Sequence, residues 1–136
     1  MRRIKSIINV TVLCICVLFS GLAMPVVIHA EEPADVAPYM TYISTYSTDV
    51  SISSSGVASI YGLVRAKDNV TTYVKVTLQI YKDGAWRDVK SWEDSGNMGS
   101  TVAADYQLFS RGSYRTYMVC SANTETKSAT SATRVY

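Results

Sequence analysis

Histidine is nearly absent from this sequence: of 136 residues only His29 is one. Cysteine is scarce too, at three, and Cys14 and Cys16 fall in the same opening stretch as His29. That stretch, residues 1–30, has the make-up of an export signal. Arg2, Arg3 and Lys5 form a basic start, residues 7–24 are apolar and uncharged, and Val-Ile-His-Ala before Glu31 offers a cleavage site ending on a small residue. With the signal removed, no histidine is left for a Ser-His or Cys-His pair, or for a His-bearing metal site. Only Cys120 survives, so the exported part has no intramolecular disulfide and is expected to rely on packing, with that thiol buried and inert.

The alternative to cleavage is a retained membrane anchor, because residues 7–30 are long enough to span a bilayer. Gly21, Pro25 and the short basic start favour cleavage. A lipoprotein signal is excluded by the positions of Cys14 and Cys16, which follow Leu13 and Ile15 where lipidation wants a small residue.

A basic surplus is also missing. Thirteen Lys and Arg stand against eleven Asp and Glu in the whole chain, and loss of Arg2, Arg3 and Lys5 moves the formal charge from +2 to −1. The exported part therefore has no basic patch, and nucleic acid is not expected as a partner. It has no cationic amphipathic helix either, which makes a secreted antibacterial or toxin-like action on membranes the weaker alternative. No D-x-D-x-D-G loop points to calcium, and Asp83-Gly84 is sufficiently explained as a turn. Asp88, Glu93 and Asp94 are the candidate carboxylates for glycosidase-type chemistry, and all are expected on or beside one exposed strand as surface charge. No catalytic residue, metal or cofactor is expected, and the protein reads as a non-enzyme.

What is present is β-structure. Val74, Val76, Leu78 and Ile80 alternate with Tyr73, Lys75, Thr77, Gln79 and Tyr81, the period of a strand with one buried face. Asp83-Gly84 then suits a type I′ turn, and a second strand over residues 86–93 completes a hairpin. Further strands are read at residues 39–53, with a bend at Asp49, and at 57–66, 101–109, 114–122 and 128–136. Gly62 within the second of these points to a bulge or a close backbone approach. Residues 31–38 are acidic, contain proline and lack periodicity, and read as a flexible spacer. The expected organisation is a signal peptide at 1–30, a spacer at 31–38 and one domain at 39–136. About seven short strands with no helix predict an all-β, antiparallel, immunoglobulin-like sandwich.

Leu108 and Tyr114 stand across a glycine-containing turn just before the penultimate strand. That arrangement resembles the tyrosine corner of immunoglobulin-like and fibronectin-type domains, without the usual proline. More broadly, the exported part resembles an uncharacterised family of small secreted proteins of Gram-positive bacteria that carry a domain of unknown function. The matching residues are Leu78, Gln79, Tyr81, Gly84 and Trp86 in the hairpin and Gly112, Tyr114 and Arg115 in the later strand. The resemblance implies secretion and a sandwich fold, and it brings no activity.

With a two-residue turn, Tyr81 is expected to face Trp86, Leu78 to face Val89, and Lys75 to face Trp92. Tyr73, Tyr81, Trp86 and Trp92 then gather on the outer face beside Lys75 and Asp88. Such a cluster serves either to hold the hairpin together or to stack a glycan or peptide. A three-residue turn would instead point both tryptophans inward. The expected function is a secreted, monomeric, extracellular or cell-surface interaction module. Its ligand-binding residues are Tyr73, Tyr81, Trp86, Trp92, Lys75 and Asp88, and its expected partner is a glycan or a protein at the cell surface.

Overall fold

The computed structural model describes residues 40–136. The expected leader and spacer, with His29, Cys14, Cys16 and the first residue of the first expected strand, lie outside the described residues. Eight strands follow in order: β1 (Ile43–Ile52), β2 (Val57–Ala66), β3 (Thr71–Lys82), β4 (Ala85–Asn97), β5 (Gly99–Gln107), β6 (Ser113–Ala122), β7 (Glu125–Thr130) and β8 (Arg134–Val135). All pairings are antiparallel. One sheet runs β1-β2-β5, the other β4-β3-β6-β7, with β8 pairing onto β6. The protein is thus an all-β sandwich with the three-against-four strand arrangement of the immunoglobulin-like class.

The apolar alternation of the strands builds the core between the two sheets. Val50, Ile60 and Val64 from the first sheet meet Val74, Val76, Leu78, Met118 and Cys120 from the second, all buried. Gly62 marks a close approach rather than a bulge. A Cβ at that position would lie 2.2 Å from Val76 Cγ2 and 3.2 Å from the Met118 sulfur, both in the opposite sheet. Burial pushes the Cys120 thiol up to about 11, so it is a small apolar core residue at neutral pH.

The tyrosine corner is formed. Tyr114, 2 % exposed, donates its hydroxyl to the Ser110 carbonyl at 2.6 Å, and Leu108 is buried in the same core. Asp83 and Gly84 both have positive φ, 54° and 77°, as the type I′ turn requires, and Lys82 pairs with Ala85 across it.

Strand ends shift by a few residues from the sequence reading, and three features differ from it. The irregularity in β1 falls between Ile43 and Thr45, not at Asp49. Residues 96–99, which fall between the strands expected at 86–93 and 101–109, continue β4 to Asn97 and then turn sharply at Met98, whose φ is 66°, into β5. There the chain leaves one sheet for the other, with the Met98 N–H donating to the Val70 carbonyl and its own carbonyl accepting from the Ala66 N–H. The last expected strand splits into β7 and β8 because Ser131 interrupts the ladder: its Oγ accepts the Thr116 N–H at 2.9 Å, where a strand would offer a carbonyl.

Candidate functional site

Register decides which side chains share a surface. Along β3 the even residues from Val74 to Ile80 are buried, so Tyr73, Lys75, Thr77, Gln79 and Tyr81 point outward from the four-stranded sheet. Their partners on β6 place Arg115 beside Gln79, Tyr117 beside Thr77 and Val119 beside Lys75. On β4 the turn sets Trp86 opposite Tyr81 and Asp88 opposite Gln79. Those two pairs on β4, with Arg115 on β6, are the outward set near the turn.

Beyond Asp88 the hairpin carries a β-bulge. Gln79 pairs with Asp88 but Leu78 pairs with Lys90, leaving Val89 as the extra residue. Every side chain past that point therefore changes face relative to an unbroken ladder. Lys75 stands opposite Glu93, and Trp92 stands opposite the buried Val76. The expected Lys75–Trp92 pair is not formed, and Trp92 does not share the outer face with Tyr81 and Trp86. It packs against the core instead, with its ring 6.0 Å from that of Tyr106 and the Lys90 ammonium 5.5 Å above it. The spacing of Val89 and Trp92, three residues apart, was the one hint, because an unbroken strand cannot bury both.

Four expected site residues remain with Trp86 on the outer face, in distinct roles. The rings of Tyr81 and Trp86 are 5.3 Å apart and tilted at 60°. The guanidinium carbon of Arg115 lies 4.1 Å over the Trp86 ring, so one indole face is already occupied. Arg115 Nε donates to Gln79 Oε1 at 2.9 Å, and Gln79 Nε2 donates to Asp88 Oδ1 at 2.9 Å. This row, three strands wide, fixes a planar guanidinium, an amide and a carboxylate in one line. Tyr73 donates its hydroxyl to Glu93 at 2.7 Å, and that hydrogen bond to a carboxylate raises the phenol above its ordinary range.

Between these groups runs a groove of about 270 Å³ lined by Lys75, Thr77, Gln79, Asp88, Tyr117 and Val119. Tyr117 is 37 % exposed and Tyr81 48 %, so these two phenols, rather than the indole, offer open ring surface. Sequence reading missed Tyr117 and the role of Arg115. The alternation of Thr116, Met118 and Cys120 as the apolar set on β6 was the signal that Arg115 and Tyr117 face the other way.

Trp92, Tyr106 and Phe109 form an edge-to-face series at the seam between the sheets, ending on Phe109, 86 % exposed. Among the described residues no group of three His, Cys, Asp or Glu side chains is placed to hold a metal. No helix among them is long and apolar enough to cross a membrane.

No family model matches the chain, so the resemblance to small secreted proteins gains no support there. No curated protein matches it either. Among solved structures it is similar to the solution structure of R. palustris CsgH, with 11 % sequence identity and a TM-score of 0.42 over 63 % of this chain and 90 % of that one. A likeness at that score says nothing about activity.

Proposed function

We propose that this protein is an exported, non-catalytic interaction module that holds a glycan of the cell surface in the groove on the outer face of its four-stranded sheet. The observation that supports this reading is the coincidence, in one open groove, of the exposed Tyr117 phenol ring with Gln79 and Asp88, which Arg115 holds in a hydrogen-bonded row from beside the groove. A sugar ring presents an apolar C–H face and a rim of hydroxyls. Tyr117 suits the first, and Gln79, Asp88 and Lys75 supply donors and acceptors for the second. Trp86 positions Arg115 rather than meeting the ligand with both faces. Export comes from the leader at residues 1–30.

The test is a glycan-array and cell-wall pull-down screen with the protein beside its Tyr117→Ala and Gln79→Ala variants. Binding that both folded variants lose supports the groove. Binding that neither loses places the ligand elsewhere, and a protein captured in place of a glycan changes the partner class.

A further inference from the structure

The outer face of the three-stranded sheet carries a second surface, on the side of the sandwich away from the groove and independent of it. Register sets Asp49 of β1, Tyr61 of β2 and Ala103 of β5 in one row, and Ser51, Ser59 and Asp105 in the next. Tyr61, 41 % exposed, rises among short neighbours and forms the wall of an open cleft of about 440 Å³. That volume falls in the range of clefts that hold small organic ligands, roughly 300–1,000 Å³.

Both carboxylates in the cleft are already oriented. Asp105 Oδ1 accepts the Ser59 hydroxyl at 2.6 Å, and Asp49 Oδ1 accepts the Val50 N–H at 2.9 Å. No lysine or arginine is among the residues lining the cleft. Arg134, whose Nε donates to the Val50 carbonyl at 3.2 Å, approaches Asp49 at 3.9 Å, with both side chains at least half exposed, and such a pair is weak. The surface therefore combines one aromatic platform with two anions lacking a strong cationic partner.

Asp49 and Asp105 sit on the two outer strands with Tyr61 between, about two strand spacings or ~10 Å apart. One small cation cannot touch both. A chain of pyranose rings bearing free ammonium groups can, with the C–H face of one ring on the Tyr61 phenol and ammonium groups meeting each carboxylate. An N-acetylated sugar offers the ring without the charge, and a basic peptide offers the charge without the rigid face. We infer that this cleft binds an amino-sugar polymer with free amines.

The test uses protein purified after expression of the full chain. Binding is measured to a glucosamine oligosaccharide, to its N-acetylated counterpart and to polylysine. Variants are Asp49→Asn, Asp105→Asn, Tyr61→Ser and Tyr61→Phe, with Asp68→Asn as a loop control and circular dichroism confirming the fold of each. The expected result is that the free-amine oligosaccharide binds and weakens with salt. It should bind about tenfold or more tighter than the acetylated form, and each Asp→Asn change should cost about tenfold. Tyr61→Ser should lose binding, and Tyr61→Phe and Asp68→Asn should keep it. Equal binding of the acetylated form overturns the role of the amine. Binding of polylysine as tight as that of the sugar, unchanged by Tyr61→Ser, reduces the cleft to an acidic surface and overturns the inference, as does no binding at all.

Discussion

Trp92 stands opposite the buried Val76 across the hairpin, and that pairing puts the two tryptophans of the chain on opposite faces of one sheet. Trp86 lies outward under Arg115, while Trp92 closes the edge of the core against Tyr106.

The two indoles should therefore differ in what their removal costs. Trp86→Ala gives up one cross-strand aromatic pair and one cation–π contact, about 1 kcal/mol in all. Trp92→Ala opens a gap at the core edge and is expected to cost about 2 kcal/mol or more. Urea unfolding of both variants checks this, and a larger loss for Trp86→Ala would contradict the register.

Gly62 has no room to grow. Alanine there drives a methyl into Val76 and Met118, which are buried and hemmed in by both sheets. Gly62→Ala is expected to destabilise the fold by about 1–3 kcal/mol, the usual cost of overpacking. Thermal unfolding measures it, and pairing the change with Val76→Ala should recover part of the loss.

Glu125 ties the start of β1 to the start of β7. Its carboxylate accepts the Tyr42 and Ile43 N–H groups, each at 2.8 Å, and those backbone hydrogen bonds, that of Ile43 first, hold its pKa below the ordinary 4.5. A lowered folded pKa contributes stability that is present above the ordinary value and lost as pH falls through the folded one. Hydrogen exchange at the Tyr42 and Ile43 amides should therefore accelerate as pH drops below 4.5, relative to amides in the middle of β3. Glu125→Gln should flatten that dependence.

Cys120 should be silent toward thiol reagents. It is fully buried, and its thiol is pushed up to about 11. Reaction with a disulfide reagent at neutral pH is expected only in denaturant. Prompt reaction in the native state would mean that β6 opens locally.

Much of the fold was legible because it is written in local pattern. Alternation along residues 73–81 and the Asp83-Gly84 turn fix the central hairpin, and the spacing of Leu108 and Tyr114 marks the corner that the Tyr114 hydroxyl closes on Ser110. The features that escaped are those with no residue of their own to announce them. The bulge at Val89 needs neither glycine nor proline, only a choice between turning Ser91 and turning Trp92 toward the core side opposite Val76. The sheet switch at Met98 places a positive φ on a residue that rarely adopts one. Of the candidate site, Tyr81, Trp86 and Asp88 were readable from the turn alone. Arg115 and Tyr117 come from a strand distant in sequence, and their arrival beside β3 depends on sheet order, which alternation does not encode.

The most direct test of the groove uses the two indole N–H signals, one for each tryptophan, in a two-dimensional NMR spectrum as soluble cell-wall glycan fragments are titrated. Trp86 supports Arg115 at the end of the groove and Trp92 lies on the inner side of the same sheet. The account predicts that the Trp86 signal shifts with fragment concentration while that of Trp92 stays in place. Fragments that bind and move Trp92 alone, or move neither, would contradict it.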